Sequence, residues 1–242
     1  MHSDFKIKKI SAADLVCDKV KALIAGGTWP AGNKIPPEVE LAENFGVNRL
    51  TVRIALQRLH ALGLLDIRVG DGTYVKDFDL SAQISELSEF YVNSKTVQDV
   101  VEYRLALELS CVEMAVERRT EAELEHFHKL CLRFQEELRQ HYALADSDPA
   151  QAQDYFLKTV DTSADLHMAL CAMTHNDLMV YACSLAREPM KRHMQLNASR
   201  RLQDRDPDGV NVWSKRWLSL YDSLTDRDAD TCARVLSLII DS

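Results

Sequence analysis

Residues 36–75 read PPEVELAENFGVNRLTVRIALQRLHALGLLDIRVGDGTYV, and this stretch decides the fold of the first part of the chain. Pro36 and Pro37 fix backbone angles that suit the first turn of a helix, which we predict over residues 38–45. A tight turn follows, and Asn48 is placed to cap a second helix that starts at Arg49. Apolar residues in this second helix recur at the spacing that predicts one buried face: Val52, Ala55, Leu56, Leu59 and Leu62.

The remainder of the stretch predicts a β-hairpin. Gly63 suits the position that ends the second helix, and residues 65–68 and 73–76 flank a Gly-Asp-Gly turn. Helix, tight turn, helix and hairpin in this order predict a winged helix-turn-helix, which places its second helix in the major groove of DNA. Arg49 and Arg53 lie one turn apart at the exposed end of that helix, where they can pair with guanine or phosphate. The alternative is a solvated amphipathic helix followed by a surface hairpin.

The same stretch resembles the N-terminal domain of the GntR family of bacterial transcription regulators. The matching segments are IPPE at 35–38, ELA at 40–42, GVNR at 46–49, TVR at 51–53, AL at 55–56, GL at 63–64 and GDGTYV at 70–75. The resemblance implies that Arg49, Thr51 and Arg53 contact the operator and that Gly70 lies in the wing tip. Gly70 and Gly72 would let the wing tip approach the DNA backbone or enter the minor groove.

Three further positions on this surface are candidate DNA contacts. Val39 stands where many family members carry a DNA-contacting arginine, and Asn48 replaces the usual serine or threonine. These departures imply an operator that differs from the commonest family sites. Lys34 precedes the motif and is interpreted either as a phosphate contact or as a solvent-exposed lysine.

The charge of the chain is unevenly distributed. Its net charge is −8, from 29 Lys and Arg against 37 Asp and Glu. Residues 1–77 hold 11 basic and 9 acidic residues, giving +2, whereas residues 78–242 hold the remaining 18 and 28, giving −10. We therefore expect only the first part to meet phosphate. Its modest basic excess predicts that affinity depends on focused contacts and on dimerisation.

The six cysteines are scattered without a CxxC pair, at positions 17, 111, 131, 171, 183 and 232. This pattern predicts buried thiols in a reducing cytoplasm, with a redox-sensing thiol as the alternative. No apolar run approaches the roughly 20 residues of a membrane span, and the N-terminus lacks the apolar core of a signal peptide. We expect a cytoplasmic protein without membrane contact.

The domain organisation follows from these patterns. Residues 1–77 are predicted to form the DNA-binding domain, with a mobile or arm-like start over residues 1–10 and a Ser11-capped helix to about Ala25. Residues 78–96 are predicted to form a linker and the first helix of a second domain. The fold class is mainly α, because residues 97–242 predict an all-α antiparallel bundle. Its main helices are predicted at residues 97–118, 121–142, 151–173, 177–201, 212–224 and 227–240.

This second part resembles the helical effector-binding domain, of the FCD type, in the FadR branch of the GntR family. The matching segments are VEYRLALE at 101–108, DLH at 165–167 and DAD at 228–230. The resemblance implies effector binding and dimerisation, with Arg104 facing a ligand cavity and pairing with a carboxylate. The spacing alone also allows an i, i+4 pair between Arg104 and Glu108. His167 and Asn176 are the next effector-binding candidates, and His193 is a further one unless it lies on a solvated basic face.

Many domains of this branch hold a divalent metal with one aspartate and three histidines. His167 matches the first histidine, but Ser163 stands where the aspartate is expected, and no histidine follows His193. The sequence therefore predicts no metal and no other cofactor. A row of His167, Cys171 and His175 at i, i+4 and i+8 is an alternative ligand set, although a core stripe is the favoured interpretation.

The sequence predicts a ligand-responsive DNA-binding regulator rather than an enzyme. No nucleophile–base pair, Gly-rich phosphate loop or paired-carboxylate site stands out. Residues 78–242 are also too few for the aminotransferase-like domain that one GntR branch carries. One helix-turn-helix reads only a few base pairs, so we expect a homodimer on a palindromic double-stranded operator. The expected effector is a small organic acid, and a metal- or redox-sensing regulator on the same scaffold is the alternative.

Overall fold

The computed structural model describes residues 10–77, 79–204 and 211–241, and the chain divides into two compact units, Met1–Asp79 and Leu80–Ser242. The described residues are mainly helical with one two-stranded sheet, which confirms the predicted fold class. Residues 1–9 of the predicted arm and most of the predicted turn at 203–209 lie outside the described residues.

Local side-chain chemistry determines where the helices of the first unit begin. Ser11 forms a capping box with Asp14, and the Asn48 side chain accepts a hydrogen bond from the Thr51 amide at 2.8 Å. Gly46 adopts φ +65° and ends the helix before Asn48. The elements of this unit are α1 Ala12–Ala25, α2 Glu38–Phe45, α3 Arg49–Ala61, β1 Leu65–Arg68 and β2 Gly72–Val75.

The core of the first unit lies between α1, α2, α3 and the hairpin. Val52, Ala55, Leu56 and Leu59 of α3 are buried there, as predicted. Leu62 was also predicted to be buried, but it is 52% exposed because α3 ends at Ala61. The core therefore depends on three turns of α3 rather than on its full predicted length.

The hairpin is supported by a third extended segment. β1 and β2 pair in a register that runs from Leu65 opposite Val75 to Arg68 opposite Gly72, so β2 begins one residue earlier than predicted. The Ile35 amide donates to the Thr73 carbonyl, and the Val75 amide donates to the Asn33 carbonyl, each at 2.9 Å. These bonds hold residues 33–35 along β2 and place Lys34 beside the hairpin.

The second unit is a helical bundle with three buried clusters among its described residues. The helix pairs α7–α8, α6–α9 and α8–α9 pack closely, and α11 and α12 cover the other side against α7 and α6. The edge of the Phe127 ring meets Trp217 in the largest cluster, with ring centroids 6.1 Å apart. The elements are α4 Leu80–Glu86, α5 Ser88–Tyr91, α6 Ser94–Arg118, α7 Glu121–Leu144, α8 Pro149–Ala172, α9 Asp177–Leu196, α10 Ala198–Gln203, α11 Val212–Asp226 and α12 Ala229–Ile240.

Two helix boundaries differ from the predictions for physical reasons. α6 begins three residues early, because Asn93 and Thr96 form a capping box at its start. The helix predicted over residues 177–201 is divided into α9 and α10 at Asn197, whose amide side chain donates to the His193 carbonyl at 3.0 Å. Such a local side-chain bond competes with the helical hydrogen-bond pattern. None of the described helices is long and apolar enough to cross a membrane.

Candidate DNA-binding face and candidate ligand pocket

The first turns of α3 and the hairpin tip border one open groove of about 730 Å³ in the first unit. Arg49 and Arg53 line it from α3 with side chains that are 60% and 46% exposed. The groove brings together six of the eight predicted DNA contacts: Lys34, Val39, Arg49, Arg53, Gly70 and Gly72. The other two, Asn48 and Thr51, bond to one another at the helix start, with 3.0 Å between the Thr51 hydroxyl and the Asn48 side-chain oxygen.

Glu38 joins both arginines of the groove, a role that the sequence did not predict. Its carboxylate accepts from Arg53 Nε at 3.0 Å, from Arg53 Nη2 at 2.7 Å and from Arg49 Nε at 3.0 Å. The hydrogen bond from Arg53 is the largest influence on the Glu38 carboxyl and, with Arg49, lowers its pKa. Glu38 is the first residue of α2, where the helix dipole also favours a negative charge.

The hairpin tip holds a second paired charge. Lys34 Nζ lies 3.1 Å from Asp71 Oδ1, and the Tyr74 hydroxyl donates to the same carboxylate. Gly72 has φ +155°, which other residues rarely adopt, and the end of the Lys34 side chain occupies the space that a Cβ would fill. Val69 at the tip is fully exposed.

The interior of the second unit contains a buried triad that connects α6 with α8. Arg104 is 0% exposed, and its Nε donates to Glu108 Oε1 at 2.7 Å. Its Nη2 lies 2.6 Å from His167 Nε2, while His167 Nδ1 lies 2.6 Å from Glu108 Oε2. These distances fit a neutral histidine that donates from Nδ1 and accepts at Nε2. Arg104 therefore makes the intrahelical pair with Glu108 and also contacts the next predicted pocket residue.

The ionisation of the triad follows from burial and from its neighbours. Burial opposes ionisation of Glu108, but the charges of Arg104 and His167 and their hydrogen bonds outweigh it and lower the pKa to about 2. Burial and the Arg104 charge lower the pKa of His167 to about 4. At neutral pH the triad therefore carries one positive and one negative charge.

Several buried polar atoms near this interior have no hydrogen-bond partner among the described residues. They include Arg104 Nη1, Ser163 Oγ, His193 Nδ1 and Trp217 Nε1. Trp217 meets the His167 ring edge-on, with centroids 4.8 Å apart. Buried donors are normally paired, so these atoms are candidate contacts for a polar molecule.

A small cavity of about 30 Å³ has Ser163 in its lining, whereas Arg104, His193 and Trp217 do not line it. Ser163 and Arg201 are polar residues in its lining, and the Arg201 guanidinium stacks on the Trp213 ring at 3.6 Å. Burial and the charge of Arg104 lower the pKa of Arg201 to about 9. The apolar wall comes mainly from α7 and α8: Phe134, Leu138, Phe156 and Val160.

Two predicted effector-binding residues have different surroundings from those expected. The Asn176 side chain accepts hydrogen bonds from the amides of Leu178 and Met179, so it caps α9, and its hydrogen bonds do not reach Arg104 or His167. His193 was favoured as part of a solvated basic face, but its ring is half-buried, and burial lowers its pKa. His193 therefore lies at the edge of the interior, with its Nδ1 atom buried.

The cysteines and the predicted histidine row also differ from expectation. Cys171 of α8 and Cys183 of α9 form a disulfide, with Cα atoms 6.7 Å apart on facing helices, whereas only buried thiols were predicted. Cys111 lies beside them, and the three sulfurs are within 4.8 Å of one another. The row from His167 to His175 does not form, because α8 ends at Ala172 and His175 pairs with Glu123 at 2.9 Å.

Comparison with known proteins identifies both units. The family profile described as bacterial regulatory proteins, gntR family, matches residues 12–75, and the FCD domain profile matches residues 99–242. The HTH-type transcriptional regulator LutR of Bacillus subtilis is 33% identical over 175 residues, covering 70% of this chain and 73% of the relative. The Uxu operon transcriptional regulator of Escherichia coli is 30% identical over 163 residues, covering 66% of this chain and 58% of the relative.

A solved structure shows the same fold. The GntR protein of Streptococcus agalactiae superposes with a TM-score of 0.66 at 20% identity, and the match covers 95% of this chain and 97% of that protein. The matches extend over both units, in the order of a helix-turn-helix domain followed by an FCD domain. The chain therefore belongs to the GntR family of bacterial regulatory proteins and is a DNA-binding transcription regulator with an FCD domain.

Proposed function

We propose that this regulator binds a small organic acid inside the bundle of its second unit, and that this binding changes its affinity for operator DNA. The DNA contacts would come from the N-terminal turns of α3 and from the hairpin tip. Regulators of this family bind DNA operators, commonly as dimers. We accordingly propose a homodimer on a palindromic site, with one helix-turn-helix for each half.

The observation that carries the effector proposal is the unpaired Nη1 of Arg104. This nitrogen is buried in a residue that is 0% exposed, and it has no hydrogen-bond partner among the described residues. A buried guanidinium with an unmade hydrogen bond loses the solvation that water would give it. A ligand carboxylate or phosphate oxygen would restore that bond, and arginine recognises both groups well.

The charges around Arg104 favour an anion over a neutral ligand. Arg201 is a second arginine of the interior, 7% exposed, and its depressed pKa reflects burial together with the nearby Arg104 charge. Glu108 offsets one of the two positive charges. An anionic ligand would therefore relieve repulsion between the two arginines, whereas a neutral molecule would not.

The neutral polar atoms without partners would contact other polar groups of the ligand. Ser163 Oγ lines the cavity, and Trp217 Nε1 and His193 Nδ1 are buried without partners among the described residues. The cavity of about 30 Å³ holds roughly one or two water molecules by the usual volume criterion. A ligand larger than a few atoms would therefore shift α8 or α11, which is how binding could favour one dimer geometry over another.

A thermal-shift screen of organic acids, sugar acids and acyl-CoA thioesters tests the proposal. A ligand present at about 100 times its Kd stabilises the folded protein by about 2.7 kcal/mol and raises Tm. The exposed Arg234→Ala variant should respond to the identified acid as wild type does, because Arg234 contacts only the Thr231 hydroxyl among the described hydrogen bonds.

The Arg104 variants need a control for folding. Arg104→Ala leaves Glu108 buried without its arginine, so the double variant Arg104→Gln/Glu108→Gln is measured beside it. Both should lose the ligand-induced rise in Tm. A rise of wild-type size in the folded double variant would refute the role of Arg104 and leave the DNA-binding assignment untouched. Addition of the acid should also change operator affinity in a gel-shift titration.

A further inference from the structure

We infer that Glu38 is a positioning residue that sets how well the protein distinguishes operator DNA from other DNA, by holding Arg49 and Arg53 in fixed orientations. The inference rests on the DNA-contacting roles proposed above for these two arginines. The acidic side chain of Glu38 would contribute to DNA recognition through them. Glu38 itself need not touch a base for this role.

One carboxylate connects two helices at the edge of the groove. Glu38 is the first residue of α2, and its partners occupy the first and second turns of α3. Arg53 approaches with Nε and Nη2 together, and Arg49 approaches with Nε alone. Glu38 is 25% exposed in its side chain, less than either arginine, so it lies at the base of the groove and the guanidiniums lie further out.

The pattern of used donors determines what each arginine can still recognise. Arg49 Nη1 and Nη2 make no hydrogen bond with the described residues, so its two-pronged end remains available for the O6 and N7 atoms of guanine. Arg53 uses Nε and one N–H of Nη2 for Glu38, so both N–H groups of Nη1 and the second N–H of Nη2 remain available for a base or phosphate. Glu38 thus holds Arg53 through two nitrogens and Arg49 through one, although the sequence spacing makes the two side chains equivalent.

The same carboxylate reduces attraction to phosphate in general. Non-specific DNA binding comes from phosphate neutralisation by Lys and Arg. Glu38 cancels one of the two arginine charges, and Asp71 cancels the charge of Lys34 on the other side of the groove. A non-cognate duplex then gains less from charge alone, while a cognate duplex still gains the ordered base contact, and this difference is specificity.

Preorganisation contributes in the same direction. A free arginine side chain loses considerable rotamer freedom when it binds. Arg49 and Arg53 have already lost part of that freedom through Glu38, so a base in the right position meets donors that are nearly in place. A phosphate elsewhere on the duplex does not match these fixed orientations, so a contact to it requires the arginine side chains to leave Glu38 first.

The test compares Glu38→Gln with Glu40→Gln, a matched control. Both substitutions raise the net charge by one in the first turn of α2, but Glu40 is exposed and has no ion pair among the described residues. The probes are a duplex selected by the wild-type protein from a random-sequence library and a shuffled duplex of the same composition. Affinities for both are measured across a range of salt concentrations, and Tm is measured for each variant.

For Glu38→Gln we expect tighter binding to the shuffled duplex, a steeper dependence of log K on log salt, and a fall of about tenfold in the ratio of the two affinities. Glu40→Gln should leave that ratio within about twofold of wild type, because it changes the charge without releasing either arginine. An unchanged ratio in Glu38→Gln, or an equal change in both variants, would overturn the inference.

A second variant keeps the test independent of Glu38 itself. Arg49→Lys retains the charge but loses the two-pronged end, so it should weaken binding to the selected duplex by about tenfold and leave the shuffled duplex nearly unchanged. Equal weakening on both duplexes would also contradict the inference. If Arg49→Ala and Arg53→Ala both bind the selected duplex like wild type, the proposed DNA contacts of these two arginines are wrong.

Discussion

Two arginine–carboxylate clusters in this protein use the same chemical groups in opposite environments. Glu38 holds Arg49 and Arg53 at an open groove, where the arginine side chains are 60% and 46% exposed. Glu108 holds Arg104 where the two side chains are 4% and 0% exposed. Water can replace either partner in the first cluster, whereas the second cluster has no such substitute.

This difference in burial suits the exposed cluster to DNA contact and the buried cluster to control of stability. An exposed ion pair contributes little to stability, so the side chains of the first cluster can be substituted at a small cost to folding. A buried pair must remain complete, since one missing partner leaves an uncompensated charge in the interior. A ligand that contacts the buried cluster can therefore have a large effect on the whole second unit, and a ligand at the exposed cluster cannot.

The largest expected effect comes from removing one partner of the buried pair. Arg104→Ala should lower the free energy of unfolding of the second unit by about 3–5 kcal/mol, whereas Arg53→Ala should change stability by less than about 1 kcal/mol. Urea unfolding followed by tryptophan fluorescence measures both, because Trp213 and Trp217 are buried in the second unit and Trp29 packs against the core of the first. Similar losses in the two variants would contradict the contrast drawn from burial.

A second expected effect is acid sensitivity that originates in the buried cluster. The pKa of His167 is about 4 in the folded protein, against a usual 6.5. Between pH 6.5 and about 4 the unfolded chain therefore binds a proton that the folded protein does not bind, and the free energy of unfolding decreases as pH falls. The pKa of Glu108 is about 2 against 4.5, so its stabilising ionisation is lost as pH falls from 4.5 towards 2. Each loss is at most on the order of 3 kcal/mol.

Substitution of His167 isolates the first of these stages. His167→Gln keeps one donor and one acceptor without a titrating ring, so stability should stay nearly constant between pH 6.5 and about 4.5. The exposed His175→Gln variant is the matched control and should retain the wild-type decline. Chemical denaturation at several pH values measures both, and an unchanged decline in His167→Gln would assign the acid sensitivity to other groups.

The exposed cluster should dominate DNA affinity instead. Arg49→Ala and Arg53→Ala are each expected to cost about 1–3 kcal/mol of operator binding per protomer, with Tm almost unchanged. Binding of the wild type should also weaken steeply with added salt. Gel-shift titration on a selected duplex, with Arg234→Ala as an exposed arginine control in the second unit, measures these effects. A monomer that bound its operator tightly would contradict the proposed homodimer.

The contrast also explains how much could be predicted from sequence. The caps at Ser11 and Asn48 and the buried face of α3 were predicted because each depends on residues within one or two turns. The link from Glu38 to Arg53 spans 15 residues and two helices, and no local spacing rule encodes it. The sequence therefore predicted six of the residues that line the groove, but not the link through Glu38 that connects two of them.

The same limit holds in the second unit. The Arg104–Glu108 pair was predictable from its i, i+4 spacing, but the contact with His167 joins residues 63 apart along the chain. Asn176 was placed in the ligand pocket by family resemblance, yet its position just before α9 makes it a helix cap. The Cys171–Cys183 disulfide likewise depends on how α8 and α9 pack, which neither helix encodes alone.

The smallest expected effect is that of metal removal. His167 is the residue that matches a histidine ligand of the family site, but its two ring nitrogens already contact Glu108 and Arg104. Ser163 offers no carboxylate, and the positive charge of Arg104 disfavours a cation beside it. We therefore predict that a chelator shifts Tm by less than about 1 °C, since the loss of a ligand shifts Tm only in proportion to its binding energy.

Elemental analysis of protein purified without chelator measures the metal content directly. One equivalent of zinc or nickel that is lost in His167→Ala would refute the prediction.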